Sequence, residues 1–381
     1  MNSAERRFAL FILAAFLAVD AILIAATAAS WAALDPDFFG IWATARFLQS
    51  HPAAEVYDST ALGAFQQSLR PHFTAVYPAP YSPVFLLAIR PLAWLPYGGA
   101  HLLWAGVTLA AFLGAGWAVL RRVDFLIILL LAPVTMLNAI YGQTGFLTAA
   151  LLIAALLLMP ARPWLAGLSL AVLCIKPQLA LLMPLVLLAR RDGKTIATTT
   201  LWLAALAVLS GAVLGWSIWW DWLVTLASHG QFIAQSRDQL IGIMATITAA
   251  VLSLGGGLML AQLLQLGAAL VMGAIVWIAW RRVDKNLGDK NLAMAATMVG
   301  TFLLTPYGFV YDTPVAMVGA LLFLRHGRAP NAALSGLELA AVIFLLIAPL
   351  CILSAVPQPP ATPIALLILF AVITRRMLRP V

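Results

Sequence analysis

The sequence predicts an all-α protein that crosses a membrane many times. Hydrophobic residues make up 63% of the 381 residues, and charged residues make up only 9%. A soluble domain needs roughly 25% charged residues to cover its surface, so this composition excludes a soluble protein. The apolar runs are rich in Leu and Ala and many approach 20 residues, which indicates spanning helices rather than the tilted strands of a barrel.

Basic residues stand where cytoplasmic loops are expected. The chain has a net charge of +8, and most of its Lys and Arg residues lie in short clusters between apolar runs, which is the positive-inside pattern. These clusters are at 6–7, 121–122, 190–194, 281–290, 325–328 and 375–379. No continuous basic stripe with interleaved aromatic residues is present, so we expect membrane lipids as partners and no nucleic acid.

With every basic cluster in the cytoplasm, the chain becomes a single membrane domain, 1–381, of about twelve spans with both termini inside. The apolar runs are at 8–31, 100–120, 124–141, 144–159, 164–176, 177–189, 195–215, 258–280, 291–306, 311–325, 335–354 and 361–374. The first run exceeds the roughly 7–15 residues of a cleaved signal peptide, which favours a retained helix, although small residues at 26–28 would suit cleavage. Two further apolar segments, 81–96 and 241–257, could be re-entrant or interfacial helices, and the topology changes if they span.

The main extracytoplasmic loops are expected at 32–80 and 216–240. Asp35 and Asp37 begin the first loop at the membrane boundary. A carboxylate there can be partly desolvated, which raises its pKa and makes it a usable general base. The alternative is a helix cap, in which the acid accepts backbone N–H bonds, and the residues alone favour capping.

Lys176 lies inside an apolar stretch, immediately before Pro177. Proline interrupts a helix, and broken helices are tolerated in membranes where they line a protein cavity. An ammonium near the hydrocarbon is costly and marks a functional site by default, with the phosphate of an anionic lipid headgroup as a suitable partner. Snorkelling of this side chain to the interface without any ligand is an equal alternative.

Several other polar residues near the outer boundary have structural explanations. Amide side chains there suit hydrogen bonds between helices, an acid at the start of a span suits the helix dipole, and a tyrosine suits the interfacial belt. The set comprises Tyr77, Asn138, Gln143, Gln178, Tyr311 and Asp312. The histidines lack the spacing of a zinc site, and no nucleotide-binding motif is present, so we expect neither zinc nor nucleotide.

A series of short motifs then follows in order between positions 37 and 312. They are Asp37-Phe-Phe-Gly-Ile-Trp42 with Val56-Tyr57-Asp58, Tyr77-Pro-Ala-Pro80 with Arg90-Pro-Leu-Ala-Trp-Leu-Pro96, Tyr141-Gly-Gln143, Lys176-Pro-Gln178 and Pro306-Tyr-Gly-Phe-Val-Tyr-Asp312. In this order the motifs resemble glycosyltransferase family 87. The resemblance implies a polytopic transmembrane helical bundle of the GT-C type, related to polyprenol-phosphate-mannose-dependent α-1,2-mannosyltransferases.

The resemblance also implies an activity and a place. A sugar, mannose by this likeness, would pass with inversion from a polyprenyl-phosphate donor to a glycolipid or glycan hydroxyl. The reaction would belong to the cell envelope, on the periplasmic or exterior face of a bacterial-type inner membrane. No resident cofactor is implied, because the polyprenyl-phosphate sugar is a substrate, and a divalent metal is left open.

By the same resemblance, Asp37 becomes the general base. Trp42 supplies the aromatic residue that follows the family's catalytic aspartate, whereas Asp35 has none at that offset. Lys176 becomes the candidate partner of the donor phosphate, whose departure a positive charge would stabilise. The other expected substrate-binding residues are Gln178, Tyr77, Trp42, Gln143, Tyr311 and Asp312.

Two non-enzymatic hypotheses compete with the interpretation of the chain as a glycosyltransferase. A secondary transporter or flippase of an envelope lipid or sugar would also use broken helices, an intramembrane lysine and an acid such as Asp20 in mid-span. The chain shows no matched pair of interrupted segments in two halves, and its densest polar loop is expected outside the membrane. A non-catalytic assembly subunit of an envelope polysaccharide pathway is the other hypothesis.

Overall fold

The structure, a computed structural model, describes residues 14–25, 37–71, 76–235, 240–327, 333–353 and 359–378, with only the backbone of 227–235 and 353. Every regular element in these ranges is helical, and an isolated antiparallel bridge joins Met244 to Phe309. The all-α prediction is therefore confirmed for this part of the chain. Asp35 and the small residues at 26–28 lie outside the described residues.

Helices occupy each predicted apolar run. The α-helices are α1 Ala14–Ala25, α2 Phe38–Ser50, α3 Ser59–Leu69, α4 Pro83–Ile89, α5 Tyr97–Leu120, α6 Val123–Leu131, α7 Pro133–Tyr141, α8 Gly145–Leu158, α9 Pro163–Leu173, α10 Leu182–Ala189, α11 Gly193–Leu214, α12 Ser217–Gln235, α13 Ile247–Ser253, α14 Leu258–Asp284, α15 Lys290–Leu304, α16 Pro314–His326, α17 Gly336–Ile347 and α18 Ala361–Leu378. Short 3₁₀ helices are Ala53–Tyr57, Arg90–Trp94, Pro177–Ala180, Ile241–Ile243, Val310–Asp312 and Ala348–Leu353.

The expected count of about twelve spans is not confirmed. Among the described residues, four helices are long and apolar enough to cross a membrane, namely α5, α11, α14 and α18. A fifth span results if α6 and α7, which meet at an angle of 53°, are counted as one bent helix. The remaining apolar helices are shorter. In the segment at 81–96, α4 continues into a 3₁₀ turn as the helical stretch Pro83–Trp94, and the segment at 241–257 contains α13, which has seven residues. At about 1.5–2.0 Å per residue, these stretches are about 20 Å and about 10 Å long, against a hydrocarbon core of about 30 Å.

The centre of the bundle is formed by two of these short helices, α15 and α16. In α15 every residue from Leu292 to Leu303 is buried, and in α16 every residue from Pro314 to Phe323 is buried. A helix that is apolar on all sides is enclosed by other helices, and here α5, α8, α14, α17 and α18 pack around the pair. Because protein rather than lipid covers this pair, its length need not match the bilayer.

A smaller cap of short helices, α2 to α4 with their 3₁₀ turns, covers one end of the bundle. Its own core contains Phe38, Phe47 and Leu86, all fully buried. Gln66 fastens the chain that follows α3, because its side-chain amide donates to the carbonyl of Tyr77 and accepts from the N–H of the same residue, at 2.9 and 3.0 Å. The expected outer loop is therefore a folded structure rather than an irregular one.

A buried ion pair joins α17 to α18 at the opposite end of the bundle. The guanidinium of Arg376 donates two hydrogen bonds of 2.7 Å to Glu338, and the two side chains are only 8% and 6% exposed. Such a two-pronged contact satisfies both charges in one geometry. Ser335 caps α17 and donates its backbone N–H to the same carboxylate.

We predict that Glu338→Gln lowers the free energy of unfolding by about 3 kcal/mol, because it removes the carboxylate charge that the buried guanidinium of Arg376 bonds. Thermal unfolding in detergent micelles measures the loss. The control is Asp124→Asn, which breaks the Arg122–Asp124 pair whose side chains are 43% and 40% exposed. That change is expected to cost less than about 1 kcal/mol. Equal losses in the two variants would contradict the prediction.

Candidate functional site

The site lies at the end of the bundle that the cap covers, where four segments begin or break. Asp37 immediately precedes α2, residues 142–144 separate α7 from α8, Lys176 lies between α9 and the next 3₁₀ turn, and residues 305–313 connect α15 to α16. Interrupted helices expose polar groups at membrane depth, which is tolerated only inside protein or beside a water-filled cavity. The four segments approach one another through their side chains.

Gly142 ends α7 and turns the chain towards Asp37. Its φ of +63° is in the left-handed region, and its N–H donates to the carbonyl of Asn138 at 2.8 Å. A side chain at this position would collide with Phe38, so glycine is required for both reasons. The next residue, Gln143, donates its side-chain N–H to Oδ2 of Asp37 at 2.6 Å.

Lys176 makes an ion pair inside the protein. Pro177 cannot continue α9, so the chain breaks after the N–H of Lys176 has bonded to the carbonyl of Leu173 at 3.0 Å. The ammonium then donates to Oδ1 of Asp312 at 2.7 Å, with the two side chains 12% and 1% exposed. It also lies 5.3 Å from the centre of the Tyr311 ring. The ammonium therefore faces the protein interior instead of reaching the surface of the membrane.

The segment that carries Tyr311 and Asp312 is held by α7 and α8. Asn138 donates its side-chain amide to the carbonyl of Tyr311 at 2.5 Å. Gly145, the first residue of α8, has the same carbonyl so close that any Cβ there would overlap it. Asp312 also accepts the N–H of Phe309 at 3.4 Å, so both of its oxygens have partners.

The electrostatics of Asp37 combine three effects. Burial raises the pKa of Asp37 above its ordinary value, while the hydrogen bond from Gln143 and the positive charge of Lys176 lower it in part. The Asp37–Gln143 and Lys176–Asp312 pairs are therefore within electrostatic range of each other. A carboxylate whose pKa is raised by burial is a stronger base than one in water, which suits proton abstraction.

Tyrosines surround this acid. Six of them are close enough to interact electrostatically with the charge of Asp37, and they come from the cap, from α5, from α7 and from the segment before α16. They are Tyr77, Tyr81, Tyr97, Tyr141, Tyr307 and Tyr311. Phenol groups donate and accept hydrogen bonds while presenting an aromatic face, which suits a ligand that carries hydroxyl groups.

The structure thus brings six residues of the expected set close together, namely Asp37, Tyr77, Gln143, Lys176, Tyr311 and Asp312. Two other expected residues take no part in the hydrogen-bonded group. The indole N–H of Trp42 donates to the carbonyl of Leu95 at 3.1 Å, which fixes α2 within the cap. Gln178 makes no polar side-chain contact with any residue that the structure describes.

Two residues without an expected role in the site stand close to it. Arg70 places its guanidinium 4.6 Å from the centre of the Phe39 ring and 4.8 Å from that of Tyr97. Asn138 holds the segment that presents Asp312. For Arg70, its position in an aromatic-rich loop is a sequence feature that could have indicated a role in the site. For Asn138, nothing in the sequence indicates the contact with residue 311. The described ranges contain no group of three or more His, Cys, Asp or Glu side chains able to hold a metal ion.

Comparison of the sequence with known proteins finds a matching family. The family model described as Glycosyltransferase family 87 matches residues 79–306, which is more than half of the chain. The matched region contains Gln143 and Lys176, whereas Asp37, Tyr311 and Asp312 lie outside it. No curated protein and no solved structure matches the chain.

We predict that Gln143→Leu raises the pKa of Asp37 further. The hydrogen bond from Gln143 stabilises the ionised carboxylate of Asp37. Without this bond, Asp37 takes up a proton at higher pH. The infrared carboxyl band that disappears in Asp37→Asn identifies this group, and its titration gives the pKa. The matched control is Gln178→Leu, which removes an amide without a described polar partner. A titration of Asp37 that is unchanged in Gln143→Leu, or shifted equally in both variants, would show that the bond does not tune this acid.

Proposed function

The chain belongs to glycosyltransferase family 87, and we propose that it transfers a sugar from a polyprenyl-phosphate donor to a hydroxyl group of a glycolipid or glycan. Family membership implies glycosyl transfer, and the apolar helices indicate a membrane protein. We further propose mannose as the sugar and the outer face of a bacterial plasma membrane as the place of reaction. The approach of Asp37, Gln143 and Lys176 at the ends of broken helices is the observation that carries the proposal.

Asp37 is the general base of the proposed reaction. Its carboxylate takes the proton of the acceptor hydroxyl as the oxygen attacks the anomeric carbon of the donor sugar. The bond from that carbon to the phosphate oxygen breaks, its electron pair stays with the phosphate, and attack from the opposite side inverts the anomeric centre. Gln143 holds Oδ2 of the carboxylate, which leaves Oδ1 to receive the proton.

Lys176 is the proposed partner of the leaving phosphate. An ammonium has three N–H donors, and Asp312 engages one of them, so two are available to phosphate oxygens. Asp312 thereby fixes the position of the ammonium. Asp37 and Asp312 together carry more negative charge than Lys176 balances. Arg70 places a further positive charge near Tyr77 and Tyr97 on the side of the cap.

We predict that Asp37→Asn reduces glycosyl transfer by about 10²- to 10⁴-fold, the usual contribution of a general base. Binding of the lipid donor and the thermal unfolding midpoint should be retained. The measurement is formation of a glycosidic product from a polyprenyl-phosphate sugar in detergent or vesicles. Asp58→Asn is the matched control, because Asp58 caps α3 by accepting the N–H of Thr60 at 2.8 Å. Transfer at the normal rate by Asp37→Asn would remove Asp37 from its role.

Replacing Lys176 by Met should raise the KM for the lipid donor by about 10- to 150-fold, since a charge-assisted hydrogen bond contributes about 1.5–3 kcal/mol. The acceptor KM should change little. Because Lys176→Met also leaves Asp312 buried and unpaired, the double variant Lys176→Met/Asp312→Asn separates lost binding from lost stability. A donor KM that stays normal in both variants would contradict the phosphate assignment. Movement of labelled sugar across vesicles without a new glycosidic bond would support a transporter instead.

A further inference from the structure

Helix α12 occupies the segment expected to be the second outer loop, and its two faces differ. Four large apolar side chains lie on one side, each between 51% and 70% exposed, at the spacing i, i+4, i+7 and i+8 of a single helical stripe. They are Trp216, Trp220, Leu223 and Val224. Trp216 directly precedes the helix, and the other three are in its first eight residues.

The opposite face of α12 is fastened to protein. Ile218 is fully buried, the indole of Trp219 donates to the carbonyl of Ala207 at 3.3 Å, and the indole of Trp222 donates to the carbonyl of Pro80 at 3.1 Å. The helix also packs on the 3₁₀ turn Ala53–Tyr57 and on α4. Its rotation about its own axis is therefore set by the cap, and the apolar stripe is directed away from the protein.

The chain fixes where this stripe lies relative to the membrane. Helix α11 is long and apolar enough to be a span, and it ends one residue before Gly215. Gly215 has a φ of +96°, a conformation open essentially to glycine, so the chain turns sharply where the span ends. Although α12 has 19 residues, it is not among the helices apolar enough to cross. Tryptophan is enriched at the level of the lipid headgroups, where such a turn would place it.

The stripe also continues the exposed surface of α11. The ring of Trp216 lies against Gly211, where any Cβ would stand 2.6 Å from it, and Val208, Leu209 and Val213 of α11 are themselves exposed. We propose that α12 lies in the plane of the bilayer, with its Trp216–Val224 stripe inserted at the boundary between headgroups and acyl chains of the leaflet into which α11 emerges. The partner is the lipid surface, and the proposal does not depend on the proposed enzymatic activity.

This contact has a consequence for the candidate site. Trp222 holds Pro80, and the hydroxyl of Tyr57 donates to the carbonyl of Tyr81 at 2.7 Å. Tyr81 interacts electrostatically with both Asp37 and Asp312. An α12 seated in the lipid surface would therefore set the depth of these carboxylates below the headgroups.

Site-directed spin labelling tests the proposal. Cys174 and Cys351 are replaced by Ser, and a single Cys is introduced at Trp220 or Leu223, with Gln67 on the exposed side of α3 as the control. In lipid nanodiscs that hold one protein each, power saturation with oxygen and a nickel chelate reports the depth of the nitroxide. We expect labels at 220 and 223 about 5–10 Å inside the headgroup boundary, as for an interfacial helix. The label at 67 should remain accessible to the chelate.

Two results would overturn the proposal. Labels at 220 and 223 that the chelate reaches as readily as the label at 67 would show a stripe in water. Shielding of these labels only when two copies share a disc, accompanied by dipolar broadening, would show that a second copy of the chain covers the stripe. Normal thermal unfolding of each labelled variant establishes that the helix is still folded.

Discussion

The ion pair between Lys176 and Asp312 is the interaction on which the capped end of this bundle depends. Removing an ammonium and a carboxylate from water is expensive, and the cost is offset only when the two groups meet in good geometry with their remaining positions satisfied. The two residues stand at separate interruptions of the chain, one forced by Pro177 and one formed by residues 305–313. Their attraction therefore links the two breaks to each other.

The same constraint explains the polar contacts around the pair. A broken helix leaves backbone groups without partners, and hydrocarbon offers none. Side chains from neighbouring helices supply them here: Asn138 bonds the carbonyl of Tyr311, and Gln265 donates to the carbonyl of Leu303 at 2.9 Å. Backbone pairing supplies another, between the N–H of Ala245 and the carbonyl of Gly308 at 2.8 Å. Near the breaks, polar side chains thus bond the backbone groups that lack a helical partner. The candidate site is formed by other polar side chains of the same region that face one another.

The sequence predicted the helices well because hydropathy is a local property of each run. It did not predict the number of spans, since hydropathy does not distinguish a helix facing lipid, such as α11, from one enclosed by protein, such as α15. The order of motifs selected Asp37, Gln143 and Lys176 as site residues. It did not predict the pairing of Lys176 with Asp312, because that pairing depends on how two distant breaks pack. The orientations of the Trp42 and Gln178 side chains depend on the same packing, and the sequence periodicity does not predict them.

Gly145 makes the first turn of α8 and the Tyr311 carbonyl share one small volume. A single methyl group at position 145 would push the 310–312 turn outward, and Asp312 would move with it. The lysine across the gap would then lose its counter-charge without any charged residue having been altered. Position 145 therefore has no room for even a methyl group, and a search for inactivating changes confined to acids and bases would overlook it.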